Sequence, residues 1–544
     1  MSLLRHFTQK ERGGGEGPSL FSSVHFGCGA KGTMPPPSSS SSSSSRDDDD
    51  GISWHRVCPN RSDEMIDLLN RIEDDDGGNP MGAVVFDRFH SEEVYSFRIR
   101  DERPNALLVL DMQDVHSLRC GRQMLVEESD ECEYHDDAAT INPPPPPARM
   151  MMTRRLADDV MRYDPTTHPP LAPPRDASET QCRRGGGEKK AHDAFLRELA
   201  SVHRMDLVLV CSEAEMRMLA SWGVPRWKLV HAPFFCSVDE NDDDDRGGMM
   251  GDGRDDGGGG GGATSSSSSS SSSSGSAAVL LLPSFGDRSD YAFVGGFRHP
   301  PNVDSVRILR REIWPAIRSR LPHATIRVCG AYPTPEVLSL HDPSVGFLVE
   351  GKVDDVDALL RRTRVLLAPL RFGAGIKGKI VDAWRCDCPV VTTSVGAEGM
   401  TGVAADEERE EEDDDDDDDD EQDRGGRRSQ TTTTKKTTIA RDDSRGRRWG
   451  GLVEDDAIAF ANAAVELHER EELWNECRED GSELLRRLFD GGVHLPAVEA
   501  GIRDGMSNLE GRRRMDVFGS VLWRDGSRAT EYFSRWIELK ETSK

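Results

Sequence analysis

Tyr291–Pro315 reads YAFVGGFRHPPNVDSVRILRREIWP, and Val365–Met400 reads VLLAPLRFGAGIKGKIVDAWRCDCPVVTTSVGAEGM. The first opens on an apolar run, Tyr291–Val294, and turns at Gly295-Gly296. It then enters a segment whose Val303, Val306, Leu309, Ile313 and Ile317 recur at helical spacing. The second has a strand-like run at Val365–Ala368, then Gly373, Gly375 and Gly378 interleaved with Lys377 and Lys379, then a helix-like stretch from Lys379 to Arg385. Glycines let backbone N–H groups approach an anion closely, and a helix N-terminus adds partial positive charge. Two such turns facing one cleft suit a diphosphate, with ammonium groups adding to the amides. A tight strand–helix turn with no ligand uses the same glycines, so each element alone is ambiguous.

The β/α rhythm extends outward from this core. Strands are expected at 325–329, 347–349, 389–393 and 451–453, with helices at 355–362, 457–467 and 471–485. Upstream, strands at 83–86, 106–110, 206–211 and 228–231 alternate with helices at 63–72, 91–100, 191–203 and 212–221. Such alternation predicts parallel sheets. The fold class is therefore α/β, with two Rossmann-like doubly wound domains carrying long low-complexity inserts. The expected organisation is a disordered segment 1–50, a first domain 51–236 with a polar insert 129–190, and a disordered linker 237–286. A second domain follows over 287–500 with an acidic insert 404–449, then a tail 501–544 containing a helix.

Composition supports that division. Of 544 residues only 35% are apolar, and the shortfall sits in homopolymeric runs of Ser, Asp, Pro and Gly. The net charge is −29, but residues 406–423 alone hold sixteen acids against one arginine. That run repels itself and stays solvated. The acidic balance excludes a nucleic-acid partner, which needs a positive stripe. The eleven cysteines form no paired framework, and Cys386 and Cys388 lack the companions a zinc site needs. No metal and no resident cofactor are expected. No apolar run is long enough for a transmembrane segment, and the N-terminus lacks a signal-like core. A cytoplasmic protein is expected.

Past the strand at 106–110, Asp111, Asp114, His116 and Arg119 cluster at the mouth of the first sheet. A histidine there suits contact with a sugar hydroxyl or a developing charge; a structural polar network has the same composition. Gly27-Cys-Gly29-Ala-Lys-Gly32 matches a dinucleotide fingerprint, but prolines 35–37 follow where a helix is required, so the match is set aside.

Taken together, FVGGFRHPPNVDS, PLRFGAGIKGKIVDAW and CPVVTTSVGAEGM resemble the donor half of the group 1 (family 4) glycosyltransferases, which have the GT-B fold. Weaker likeness covers 83–123 and 206–235. The resemblance implies transfer of a sugar from a nucleotide diphosphate sugar, a substrate, to an acceptor that the sequence does not name. It also implies a retaining, metal-independent reaction. Gly295, Gly296, Arg298, Gly373 and Gly375 would bind the donor, Lys377 and Lys379 would neutralise the leaving phosphate, and Asp382 would hold the ribose. His116, with Asp114, would act at the donor sugar. The first of the family's two glutamates falls at Ala374, the second at Asp382, and no first strand with a glycine loop is evident before Ile52. A catalytically impaired protein that binds nucleotide sugars or other proteins is the alternative reading, and an epimerase acting on the donor is a third.

Overall fold

The computed structural model describes residues 21, 23–29, 52–57, 61–137, 153–167, 179–236, 283–401, 441–442 and 447–542. The expected linker and acidic insert lie almost entirely outside these residues.

The second half contains a six-stranded, all-parallel sheet. Its strands are β7 (Ser289–Val294), β8 (Ile326–Cys329), β9 (Phe347–Gly351), β10 (Thr363–Ala368), β11 (Val390–Thr392) and, after a two-residue antiparallel pair β12 (Arg441–Asp442) and β13 (Arg447–Arg448), β14 (Gly451–Val453). The spatial order is β14-β11-β10-β7-β8-β9. Numbered within the domain this is the Rossmann order 3-2-1-4-5-6, in which chain direction across the sheet reverses between the first and fourth strands. Those strands are β7 and β10, paired at Val365–Tyr291 and Leu366–Ala292. The two glycine elements therefore leave adjacent strands at the sheet's reversal point. The strands are continuous apolar runs because helices cover both faces; Tyr291, Phe293, Ile326, Val328, Val365 and Leu367 are fully buried.

In the first half, β3 (Ala83–Asp87), β4 (Leu107–Asp111), β5 (Leu207–Val210) and β6 (Leu229–His231) form a parallel sheet in sequential order. Ser212 caps the helix Glu213–Ser221 by accepting from the Glu215 amide, as its position predicts. One face of this sheet is covered by helices of the same domain. The other face, with Leu107, Val109, Leu207 and Leu209, packs on Val498 and Ile502.

Three expectations are corrected. Val24–Gly29 is a strand, β1, pairing in parallel with β2 (Ile52–Val57), so structure precedes Ile52 and Gly27 lies within a strand. The polar stretch 129–190 is not a simple insert. Helix His116–Asp137 runs into it, helix Glu179–Arg204 runs out of it, and Arg154–Met161 buries Ala157 and Val160 against Leu370, Phe372 and Val395. The expected tail is three helices, Gly491–Ser507, Leu509–Met515 and Val517–Thr542, that return to the first domain. There Lys228 is buried against Asp516 at 2.5 Å, and Arg513 bonds Asp206. The chain thus crosses between domains twice, and the crossings touch: the Cys236 amide donates to the Phe489 carbonyl and the Gly491 amide to the Cys236 carbonyl.

Leu108 on β4 has no exposed surface and lies in the core with Leu110, Val208 and Met205. Leu108→Ala is expected to cost about 2–5 kcal/mol, read as a lowered denaturant midpoint with the slope of the transition preserved.

Candidate functional site

The site is built where β7 and β10 end. β7 gives way to Gly295-Gly296, whose position is held by the Gly295 amide donating to the Cys329 carbonyl at 3.0 Å. A Cβ at Gly295 would lie 2.6 Å from the Asn302 side chain, so only glycine admits Asn302 here. Asn302 sits in the first turn of helix Pro300–Ile308. Its amide donates to the Gly296 carbonyl at 2.9 Å, and its carbonyl accepts from the Lys379 ammonium at 2.7 Å. The two glycine elements are thus joined through one side chain. Lys379 also lies 4.3 Å from the Phe293 ring centroid. Burial without a carboxylate partner pushes its amine down to about 7.

The loop after β10 is clasped by the first domain. Arg122, on helix His116–Asp137, donates to the Gly373 carbonyl at 2.9 Å and forms a two-pronged pair with Glu398 at 2.6 and 2.7 Å. Ala374 packs against the first-domain core. Gly375 has φ +66°, and a Cβ there would lie 2.8 Å from the Asp114 Cβ, so backbone conformation and contact both require glycine. Ile376 shares a cluster with Cys211. Lys377 is buried and donates to the Gly375 carbonyl at 2.6 Å. Arg371, also buried, pairs with Asp304 of its own domain at 2.6 Å and Asp130 of the first at 2.7 Å.

The first-domain side sits directly opposite. Asp87 and Asp111 end paired strands side by side. Burial, reinforced by Asp87, raises Asp111 to about 6. Glu198 accepts from the His116 and Ser117 amides at 2.7 and 3.0 Å and so holds the start of helix His116–Asp137. A carboxylate there complements the helix dipole. Arg119 contacts both Asp114 and His116 Nδ1. Burial foremost, with Arg119 next, pushes His116 down to about 3, which leaves the ring neutral. The non-glycine residues Arg88 and Gln113, just beyond these strand ends, have φ +62°. Strain of that kind gathers at functional sites.

The structure therefore brings together Gly295, Gly296, Lys379, Gly373, Gly375, Lys377, Asp114 and His116. Arg298 lies on the Tyr332 ring, at 3.6 Å from its centroid, and lines a cavity of about 300 Å³ with Phe297, Asp304, Arg371, Phe372 and Asp130. Asp382 stands apart from the lysines and faces Arg385 at 3.6 Å. Asn302, Arg122 and Glu398 were not singled out from the sequence. Asn302 carries a weak signal, its place at the opening of the helix after Gly295-Gly296. Arg122 and Glu398 carry none, since a pair 276 residues apart leaves no local pattern. Among the described residues no cluster of His, Cys, Asp or Glu could hold a metal ion, and no helix is long and apolar enough to cross a membrane.

Residues 288–413 match the family model described as Glycosyl transferases group 1. This segment is similar to the group 1 glycosyl transferases. It spans β7 to β11 and both glycine elements. No curated protein matches the chain. Among solved structures, HepE from Anabaena with UDP and glucose is similar at 10% identity and TM-score 0.42, with 84% of this chain and 87% of that one covered. A trehalose-phosphate synthase from Burkholderia vietnamiensis is similar at 9% identity and TM-score 0.39, covering 81% and 75%. A TarM mutant from S. aureus with UDP is similar at 8% identity and TM-score 0.36, covering 57% of this chain and 46% of that one.

The lowered Lys379 amine predicts pH-dependent anion binding. Protonated below about 7 and neutral above it, Lys379 attracts phosphate less as pH rises through that value. UDP affinity measured by calorimetry is expected to fall between pH 6 and pH 8.5. Lys379→Arg, which keeps its charge throughout, should flatten that fall while leaving the ligand's own titration in place.

Proposed function

We propose that this protein transfers a sugar from a nucleotide diphosphate sugar to an acceptor, with the diphosphate held between Gly295-Gly296 and the loop Gly373–Lys379. One observation carries this reading: Asn302 bonds both elements at the reversal point of the six-stranded sheet. Open α/β sheets bind ligands in that crevice.

As the glycosidic bond breaks, negative charge builds on the diphosphate. The amides of Gly295 and Gly296 and the ammonium groups of Lys377 and Lys379 stabilise that charge without needing to reorganise. The contact between the loop and the first domain sets the acceptor against the donor sugar. Neutral His116 offers a hydrogen bond rather than a charge to the sugar. Asp114, paired with Arg119, orients it. In this reading anomeric configuration is retained, the leaving phosphate takes the acceptor proton, no metal takes part, and Arg298 and Asp382 contact the donor from the edges. In the same reading the two sheets mark the two domains, the C-terminal helices join the first, and the setting is cytoplasmic.

One observation favours a second reading, a nucleotide-sugar or protein binding module without turnover. Ala374 stands where the family has a carboxylate, and it is packed into the first-domain core. A panel of UDP-, GDP- and ADP-sugars separates the two, since a binding module shows affinity without sugar release.

Replacing both Lys377 and Lys379 with Ala should lower UDP or GDP affinity by about 10²-fold or more, in line with the loss of charge-assisted contacts. Sugar release should disappear with it. Unchanged calorimetric affinity would show that the phosphate lies elsewhere.

A further inference from the structure

Lys377 is the more buried of the glycine loop's two lysines, and a group that balances it comes from outside the loop. Glu398, in the turn after β11, places one carboxylate oxygen 3.9 Å from the Lys377 ammonium. That same oxygen accepts from Arg122 at 2.6 Å, and its twin accepts from Arg122 at 2.7 Å. Arg122 has only 1% of its side chain exposed and spends its remaining donors on the carbonyls of Gly373 and Val160, each at 2.9 Å. The result is a continuous chain from helix His116–Asp137 of the first domain, through Glu398, to the ammonium of the second domain's loop.

We propose that Glu398 and Arg122 are positioning residues which tie the Lys377 ammonium to the first domain, so that an anion on this loop is gripped by both halves of the molecule at once. This rests on reading the loop as the diphosphate site. The loop's own carboxylate position is occupied by Ala374, and Glu398 supplies negative charge from a different element. A buried ammonium without a carboxylate tends to lose its proton. Glu398 counters that tendency directly, while Arg122 satisfies and orients Glu398.

Glu215, in the helix after β5, favours the charged amine, Arg122 opposes it, and Asp114 lies within its field, while Cys211, raised well above its ordinary value, and His299, lowered to about 4, stay neutral from pH 6 to pH 9. Burial outweighs them all and lowers the Lys377 amine from its ordinary value. Removing Glu398 lowers it further. Below its folded-state value Lys377 is charged and holds an anion; above it, the anion is lost.

The test is UDP and GDP calorimetry on the full chain from pH 6 to pH 9, with Glu398→Gln compared to the unchanged protein at each pH so that the Lys379 titration cancels. The expected result is a loss of about tenfold or more at pH 8.5 that shrinks as pH falls. Glu398→Asp, which keeps the charge, should restore most of the affinity at pH 8.5. Should Glu398→Gln fail to fold, Arg122→Met with Glu398→Gln removes the buried pair together, a change that buried ion pairs often tolerate, and should show a smaller loss with the same pH dependence, because Arg122 itself opposes the charged amine. A loss of equal size at every pH would mean that Glu398 only supports packing, and no loss at any pH would mean it does not act on Lys377; either overturns the proposal. If the unchanged protein binds neither nucleotide, the diphosphate site itself fails and the positioning role falls with it.

Discussion

The loop between β10 and the helix Gly378–Arg385 is held by the first domain as well as by its own. Its carbonyl at Gly373 is bonded by Arg122, its Ala374 enters the first-domain core, and its Gly375 lies against Asp114. Other parts of the cleft share that contact. Arg371 and Glu398, which flank the loop in space, are each paired with a first-domain side chain. Such buried pairs need not stabilise the molecule on balance, because desolvation opposes the attraction. Their directional bonds do specify one arrangement of the two domains.

The second domain was largely legible in the sequence. Its strands are short apolar runs punctuated by glycine and proline, and its helices have apolar spacing, so local pattern and global fold agree. The reversal point followed from that, since the two glycine elements leave the two strands that meet there. The first domain was harder to read. The stretch 129–190 is polar in composition, yet two helices extend into it and a third seals the domain contact through Ala157 and Val160. β1 was hidden because Gly27, His25 and Cys28 do not look like a strand, and its partner β2 is equally polar. The returning helices were invisible as such, because nothing local in Val498 or Ile502 says which sheet they cover.

The candidate site divides the same way. Groups that act through the backbone, such as the glycines after β7 and β10, leave a spacing that can be read. Groups that act through long-range pairing do not. Asn302 lies seven residues beyond Gly295, yet its second partner, Lys379, is 77 residues away. Asp382 was placed by its distance from the loop along the helix. Its carboxylate lies 3.6 Å from Arg385.

The chain passes between the domains at Cys236 and again at Phe489–Gly491, and these two passages are bonded to each other. A molecule joined by one strand could swivel in any direction, whereas two strands fastened side by side leave a single axis about which the halves turn. The C-terminal end of the glycine loop lies beside that axis, where a Cβ at Gly378 would sit 3.7 Å from the Phe234 ring, so a small rotation displaces that end least.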